Sequence, residues 1–331
     1  MLWFTHIRSS PIEPMTSQFI FFLTKTLSPL LLLILISTSC YGEIYKWVDE
    51  QGRVHYGDKK RADKKPQEKV EIEAHRSYWQ PYNIKITWRD LDLTVDEVRS
   101  ISDDVNLVYQ FYDRVVYFDM HKTVPVNITL LPNQEQYNRH ITKVTGKPPV
   151  PSWGYYIYKN NEIVVFMQQD RQRTFRTIKH EVSHAIIHTM APSAPAWLNE
   201  GMAELMEYLV LKNDRITILP HKSNQSILKR FSNNRKVDEI DEMLSLPSRQ
   251  WLNSKNGKDP FLQSMAGEII FFLFSSNTDR TFVRNLLQDY KRGGRLLSIA
   301  LVNQYYLGGI GSLNLKWRNW LLQKNKSEIQ F

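Results

Sequence analysis

Two histidines four residues apart within a helical pattern constrain this chain more than any other feature. They are His180 and His184, in Ile178-Lys179-His180-Glu181-Val182-Ser183-His184-Ala185. Phe175, Ile178, Val182 and Ile186, continued by Thr189, recur at the spacing of one helix face. Residues four apart on a helix lie one above the other, so both imidazoles can offer a nitrogen to one ion. Glu181 stands next to that face, where it can hold a water. Ala191-Pro192-Ser193-Ala194-Pro195 then breaks the helix, and Pro195 suits the first turn of a new one. The new helix reads Ala196-Trp197-Leu198-Asn199-Glu200-Gly201-Met202-Ala203-Glu204 and brings a carboxylate close behind the histidines.

A two-histidine site needs a third ligand, and Glu200 is the expected one, with Glu204 as the best substitute. Two imidazoles, one carboxylate and one open position form a catalytic zinc geometry, so one Zn2+ per chain is expected. Glu181 is then the general base, and a Gln there would keep the metal and lose the chemistry. Glu204, one turn beyond Glu200, is expected to accept the outer N–H of a ligating histidine and fix its tautomer. His188 lies about 12 Å along the helix from His180 and is read as a packed histidine or one behind the ligands. Tyr155, Tyr156, Tyr158, Tyr208 and His221 are all candidates by type for stabilising a tetrahedral oxyanion, and the sequence does not choose among them.

H-E-x-x-H followed by W-L-N-E-G-x-A-E resembles the gluzincin zinc metallopeptidases, above all their small peptidase-MA-like members. The resemblance runs from about Ile84 to about Leu322 and is carried mainly by these two motifs. It implies that His180, His184 and Glu200 hold zinc, that Glu181 is the catalytic base and that an acidic residue stands at Glu204. It also implies a cleft lined by an edge strand just before the H-E-x-x-H helix, on which an extended protein or peptide substrate pairs. The shorter His184-to-Glu200 spacing points to compact members and leaves exopeptidase activity unsupported.

The expected fold class is α+β: a small mixed sheet with an edge hairpin packed on the H-E-x-x-H helix, then a mostly helical C-terminal half. Residues 84–325 are assigned to it. Ile84 to Trp88 and Val124 to Leu131 read as strands, and Thr94-Val95-Asp96-Glu97 as a capping box opening a long helix. Gln134 to Val144 reads as helical. Tyr155 to Tyr158 and Glu162 to Met167 flank Lys159-Asn160-Asn161 as a hairpin, with 162–167 as the substrate-pairing edge. From Asp214 onward helices are expected, among them Asp238 to Leu246, the apolar Phe261 to Phe274, a stripe from Phe282 to Tyr290, and Leu313 to Leu321.

Upstream, residues 1–42 read as a signal peptide, with Arg8 and Lys25 before the apolar Leu27–Ile36 core. A retained anchor and a lipidated Cys40 are the alternatives. Residues 43–66 hold a small β-hairpin domain, and 67–83 continue a charged stretch read as a linker. Tyr45-Lys46-Trp47-Val48-Asp49-Glu50 with His55-Tyr56 resembles a small N-terminal domain of unknown function in Gram-negative envelope proteins. The expected location is therefore the periplasm or cell envelope. The formal charge of +9 is dispersed among acidic residues. No nucleic-acid partner is expected, only weak attraction to membrane or cell-wall polyanions. A non-catalytic envelope binding or assembly protein braced by a metal, or a hydrolase of a cell-wall peptide amide, are the other readings of the same residues.

Overall fold

The computed structural model describes residues 44–48, 54–57, 68–70, 82, 84–120, 127–148, 151–232, 237, 239–246, 251 and 260–331. The chain divides into two units, Met1–Tyr78 and Trp79–Phe331. In the first, β1 (Ile44–Val48) pairs antiparallel with β2 (Val54–Gly57), as the sequence predicts. On its other side β1 pairs with β3 (Glu68–Val70), which lies in the stretch assigned to the linker. A hairpin alone is marginal in water, and the third strand answers that weakness through β1's second hydrogen-bonding edge. The expected signal peptide, residues 1–42, lies outside the described residues.

The second unit is α+β. Its first sheet has the order β4 (Lys85–Trp88), β5 (Asn127–Leu131), β7 (Glu162–Phe166), β6 (Gly154–Ile157). The first three strands run parallel, and β6 returns antiparallel along β7. Helix α1 (Val95–Arg114) makes the β4-to-β5 crossover, and α2 (Gln134–Thr145) follows β5. The predicted capping box at Thr94 is present. Its Oγ1 accepts from Glu97 N at 3.2 Å, and Glu97 Oε2 accepts from Thr94 N at 2.9 Å. Glu97 also receives Arg171 Nη2 at 2.7 Å, which ties the start of α1 to the start of α3 (Arg171–Met190).

One expectation is corrected here. The 162–167 segment is not an edge. β7 is paired on both sides, and Ile-Val-Val-Phe is apolar on both faces. Ile163 and Val165 enter the main core, while Val164 and Phe166 pack with Tyr137, Ile141 and Ile157. A strand buried on both faces is an interior strand. Among the described residues the open edge on that side is β6, whose Tyr155 is exposed.

α3 runs through the middle of this unit, against α1, β6, β7 and α4 (Ala196–Glu207). Phe175, Ile178, Val182 and Ile186 are buried as predicted, while Thr189 is exposed. Burial also covers Lys179, His180, Glu181 and Ser183. Such groups cost heavily unless paired. Lys179 Nζ donates to Leu209 O at 2.7 Å and lies 3.7 Å from Asp104 Oδ1, and Ser183 Oγ meets the Tyr112 hydroxyl at 2.6 Å.

Beyond α4 the chain makes a hairpin that the helical expectation did not include. β8 (Leu209–Lys212) and β9 (Arg215–Ile218) are joined by Asn213 and Asp214, both at positive φ. That is the backbone of a tight two-residue hairpin turn. β10 (Ile329–Gln330) adds to β9 as a third strand. Helix α5 (Lys222–Phe231) follows, then α6 (Asp241–Leu244), which falls inside the helix predicted over 238–246, of which residue 238 lies outside the described residues. α7 (Phe261–Phe274), α8 (Asn277–Lys291), α9 (Ser298–Tyr305) and α10 (Gly309–Leu321) complete the unit. α4 and α7 meet closely because glycines face the contact. A Cβ on Gly201 would lie 2.6 Å from Ala266 O, and one on Gly267 would lie 2.7 Å from Glu204 Cβ. No helix among the described residues is long and apolar enough to cross a membrane.

Candidate metal centre

α3 presents His180 and His184 on one face, and their rings lie 4.8 Å apart, nearly perpendicular. α4 brings Glu200 opposite. Glu200 Oε2 is 3.8 Å from His180 Nε2 and 3.7 Å from His184 Nε2, and all three ligand atoms lie within 4.8 Å of one another. With metal–ligand bonds of about 2.0–2.1 Å, the edge of a tetrahedral zinc site is about 3.3 Å. Glu200 Oε2 stands about half an ångström outside that edge from each histidine nitrogen. The three donors converge on one point from two rigid helices.

The outer nitrogens are held as well. His180 Nδ1 lies 3.0 Å from Glu207 Oε1, and His184 Nδ1 lies 3.0 Å from Asn199 Oδ1. An acceptor on each Nδ1 keeps its proton there and turns the Nε2 lone pair inward. Here the sequence expectation changes. Glu204 Oε1 is 3.9 Å from His180 Nδ1, beyond hydrogen-bond reach. Its Oε2 accepts instead from Asn224 Nδ2 at 2.9 Å and faces His221 Nε2 at 3.3 Å. A Cβ at Gly267 would lie 2.7 Å from both Glu204 Cβ and Asn224 Nδ2, so the bare glycine is what makes room for this pair. The sequence puts Glu207 along the same side of this helix as Glu200 and Glu204, but gives it no role. Glu200, Glu204 and Glu207 are spaced by four and three, one face of one helix. Asn199 directly precedes Glu200 in the N-E-G segment, where sequence alone assigns it no role.

Glu181 is buried beside the two histidines, and its Cγ would lie 3.0 Å from a Cβ placed on Gly154. The missing side chain at Gly154 is what lets β6 lie against α3 at this residue. Among the oxyanion candidates, the Tyr156 hydroxyl donates to Asn161 Oδ1 at 2.8 Å. His221 Nδ1 accepts the Asn224 N–H at 3.1 Å, so its Nε2 faces the Glu204 carboxylate. Tyr208 packs its ring 4.1 Å from that of His221, and Tyr155 and Tyr158 are exposed. His188 is exposed and sits against the rings of Tyr156 and Tyr158, away from the ligand set.

The electrostatics favour a cation. Glu181, Glu200 and Glu204 are buried, Glu207 adds a fourth carboxylate, and buried charges must be paired or bind metal. Burial by itself would depress the His180 pKa. The hydrogen bond to Glu207 and the charges of Glu207, Glu181 and Glu204 outweigh burial and push it up to about 10. Glu207 shows the counterpart: burial raises its pKa, but His180, His221 and Arg176 bring it below the ordinary value. These buried histidine and glutamate groups can hold a metal ion, and a donor set of two imidazoles and one carboxylate suits zinc.

Comparison with known families places one segment. A family model described as a domain of unknown function, DUF4124, matches residues 31–81. The match spans the three-stranded sheet and the Tyr45-to-Tyr56 pattern on which the sequence resemblance rests. It ends well before the candidate metal centre. No curated protein matches the chain.

Proposed function

We propose that this chain is a zinc-dependent metallopeptidase of gluzincin type that hydrolyses peptide bonds of protein or peptide substrates in the cell envelope. The observation that carries the reading is the convergence of His180 Nε2, His184 Nε2 and Glu200 Oε2, with buried Glu181 next to them. Zinc bound by these three residues would supply Lewis acidity towards a carbonyl oxygen and acidify water.

Glu181 takes the proton of the attacking water and delivers it to the leaving amine. Glu207 and Asn199 hold the two imidazoles in the tautomer that keeps their inner nitrogens available. β6 is an open edge lying against α3 at Glu181, so an extended peptide can add to it through main-chain hydrogen bonds. Our reading therefore puts substrate pairing on Gly154–Ile157 in place of 162–167, supported by the position of β6 at the end of the sheet order. An envelope location fits the 31–81 match together with the apolar run that precedes the first sheet in the sequence.

Purified protein is expected to hold one zinc per chain and to cleave an unfolded test protein, with cleavage lost on chelation and restored by zinc. Hydrolysis that persists without metal, or in Glu181→Gln, would overturn the proposal.

A further inference from the structure

Three glutamates share the face of α4 that looks at the histidines, and only Glu200 stands with both of them as a candidate ligand. The other two are not equivalent. Glu204 is engaged by Asn224 Nδ2 and by His221, whose ring is fixed by the Asn224 N–H at the start of α5. α7 closes over it at Gly267. Glu207, near the end of α4, is the carboxylate within hydrogen-bond distance of His180, at 3.0 Å against 3.9 Å for Glu204. His180 is buried, and its other nitrogen faces Glu200. A charged acceptor on Nδ1 both fixes the ring and makes Nε2 a better donor.

We infer that Glu207, seven residues beyond Glu200, is the positioning residue that orients His180 towards the metal, while Glu204 braces α4 against α5 and α7. The inference rests on the metal-binding reading proposed above. It concerns this chain's own hydrogen bonds and is tested with zinc alone, without substrate.

Zinc affinity is measured by competition with a chromophoric chelator on the full chain, wild type and variants, and the melting temperature of each metal-free protein establishes that it is folded. Glu207→Ala is expected to bind zinc about 10- to 100-fold more weakly than wild type. Glu207→Gln, which retains an acceptor oxygen, is expected to recover part of that loss, and Glu204→Gln to lose less than about threefold. In the zinc-loaded wild type the His180 Nδ1–H proton gives a downfield resonance in slow exchange, and this moves upfield in Glu207→Gln. A folded Glu207→Ala with wild-type affinity, or an affinity loss confined to Glu204→Gln, overturns the inference and leaves zinc binding intact. If Glu207→Ala does not fold, an unmoved His180 resonance in Glu207→Gln overturns it instead. A wild type that binds no zinc removes the metal reading itself, and this inference with it.

Discussion

Gly201 directly follows the third candidate ligand, and replacing it by alanine tests whether the α4–α7 contact holds Glu200 in place. An alanine Cβ would lie 2.6 Å from the Ala266 carbonyl oxygen and 2.6 Å from Ile270 Cγ1. Tolerated carbon-to-carbonyl contacts are about 3.3–3.6 Å, so the helices must separate by about 0.7 Å or more. Overpacking of this kind costs about 1–3 kcal/mol, and the upper part of that range applies because the struck atom is helix backbone and cannot rotate away. Removing a helical glycine returns about 0.5–1 kcal/mol, which leaves a net loss of about 1–2 kcal/mol. In a unit of this size that lowers Tm by about 2–8 °C. The assay is thermal unfolding of the metal-free protein, so that loss of zinc cannot contribute. Gly311→Ala is the control, since that glycine is in α10 and a Cβ there meets nothing within 4 Å. The same substitution should be neutral or stabilising at Gly311. A Gly201→Ala protein as stable as wild type, or gaining as Gly311→Ala does, would refute the close-packing reasoning. If it destabilises as expected, zinc affinity should fall with it, because Glu200 moves with α4.

Further outcomes follow from the same geometry. Glu181→Gln should retain one zinc per chain while hydrolysis falls by about 10²- to 10⁴-fold, read by metal analysis and cleavage of an unfolded protein. Zinc at about 100 times its Kd should stabilise the fold by about 2.7 kcal/mol, seen as a Tm rise of about 5–11 °C that a chelator reverses. The Arg171 guanidinium and the Thr94 N–H hold the Glu97 pKa down at about 2. Because the folded value is the lower one, the stabilisation is fully present above the ordinary carboxylate range and is lost as pH falls through about 2. Glu97→Gln should therefore be less stable than wild type at pH 7, with the gap closing between about pH 4.5 and 2 in acid unfolding curves.

Much of the fold was legible in local pattern. The capping box at Thr94 was written in four residues, the α3 core face in a period of 3.6, and β6–β7 in two apolar runs around Lys159-Asn160-Asn161. The hairpin at Asn213-Asp214 was equally present as a turn pair between short β-prone runs, and the helical reading passed over it. β3 was hidden by its charge, because a strand in a small sheet needs no apolar signature when its role is to satisfy a neighbour's backbone.

By itself the sequence determined which side chains can carry chemistry. The spacing of His180, Glu181 and His184 fixes them on one helix, and Glu200 follows at the start of the next. Only the tertiary structure decided how that second helix is turned, and hence that Glu207 and not Glu204 reaches His180. Likewise only strand order decided that β6, and not the more apolar β7, is the open edge. The physical reason is common to both. Helix period and strand alternation are properties of one segment, whereas rotation about a helix axis and position in a sheet are set by what packs against the segment, here Gly267 on one side and β5 on the other.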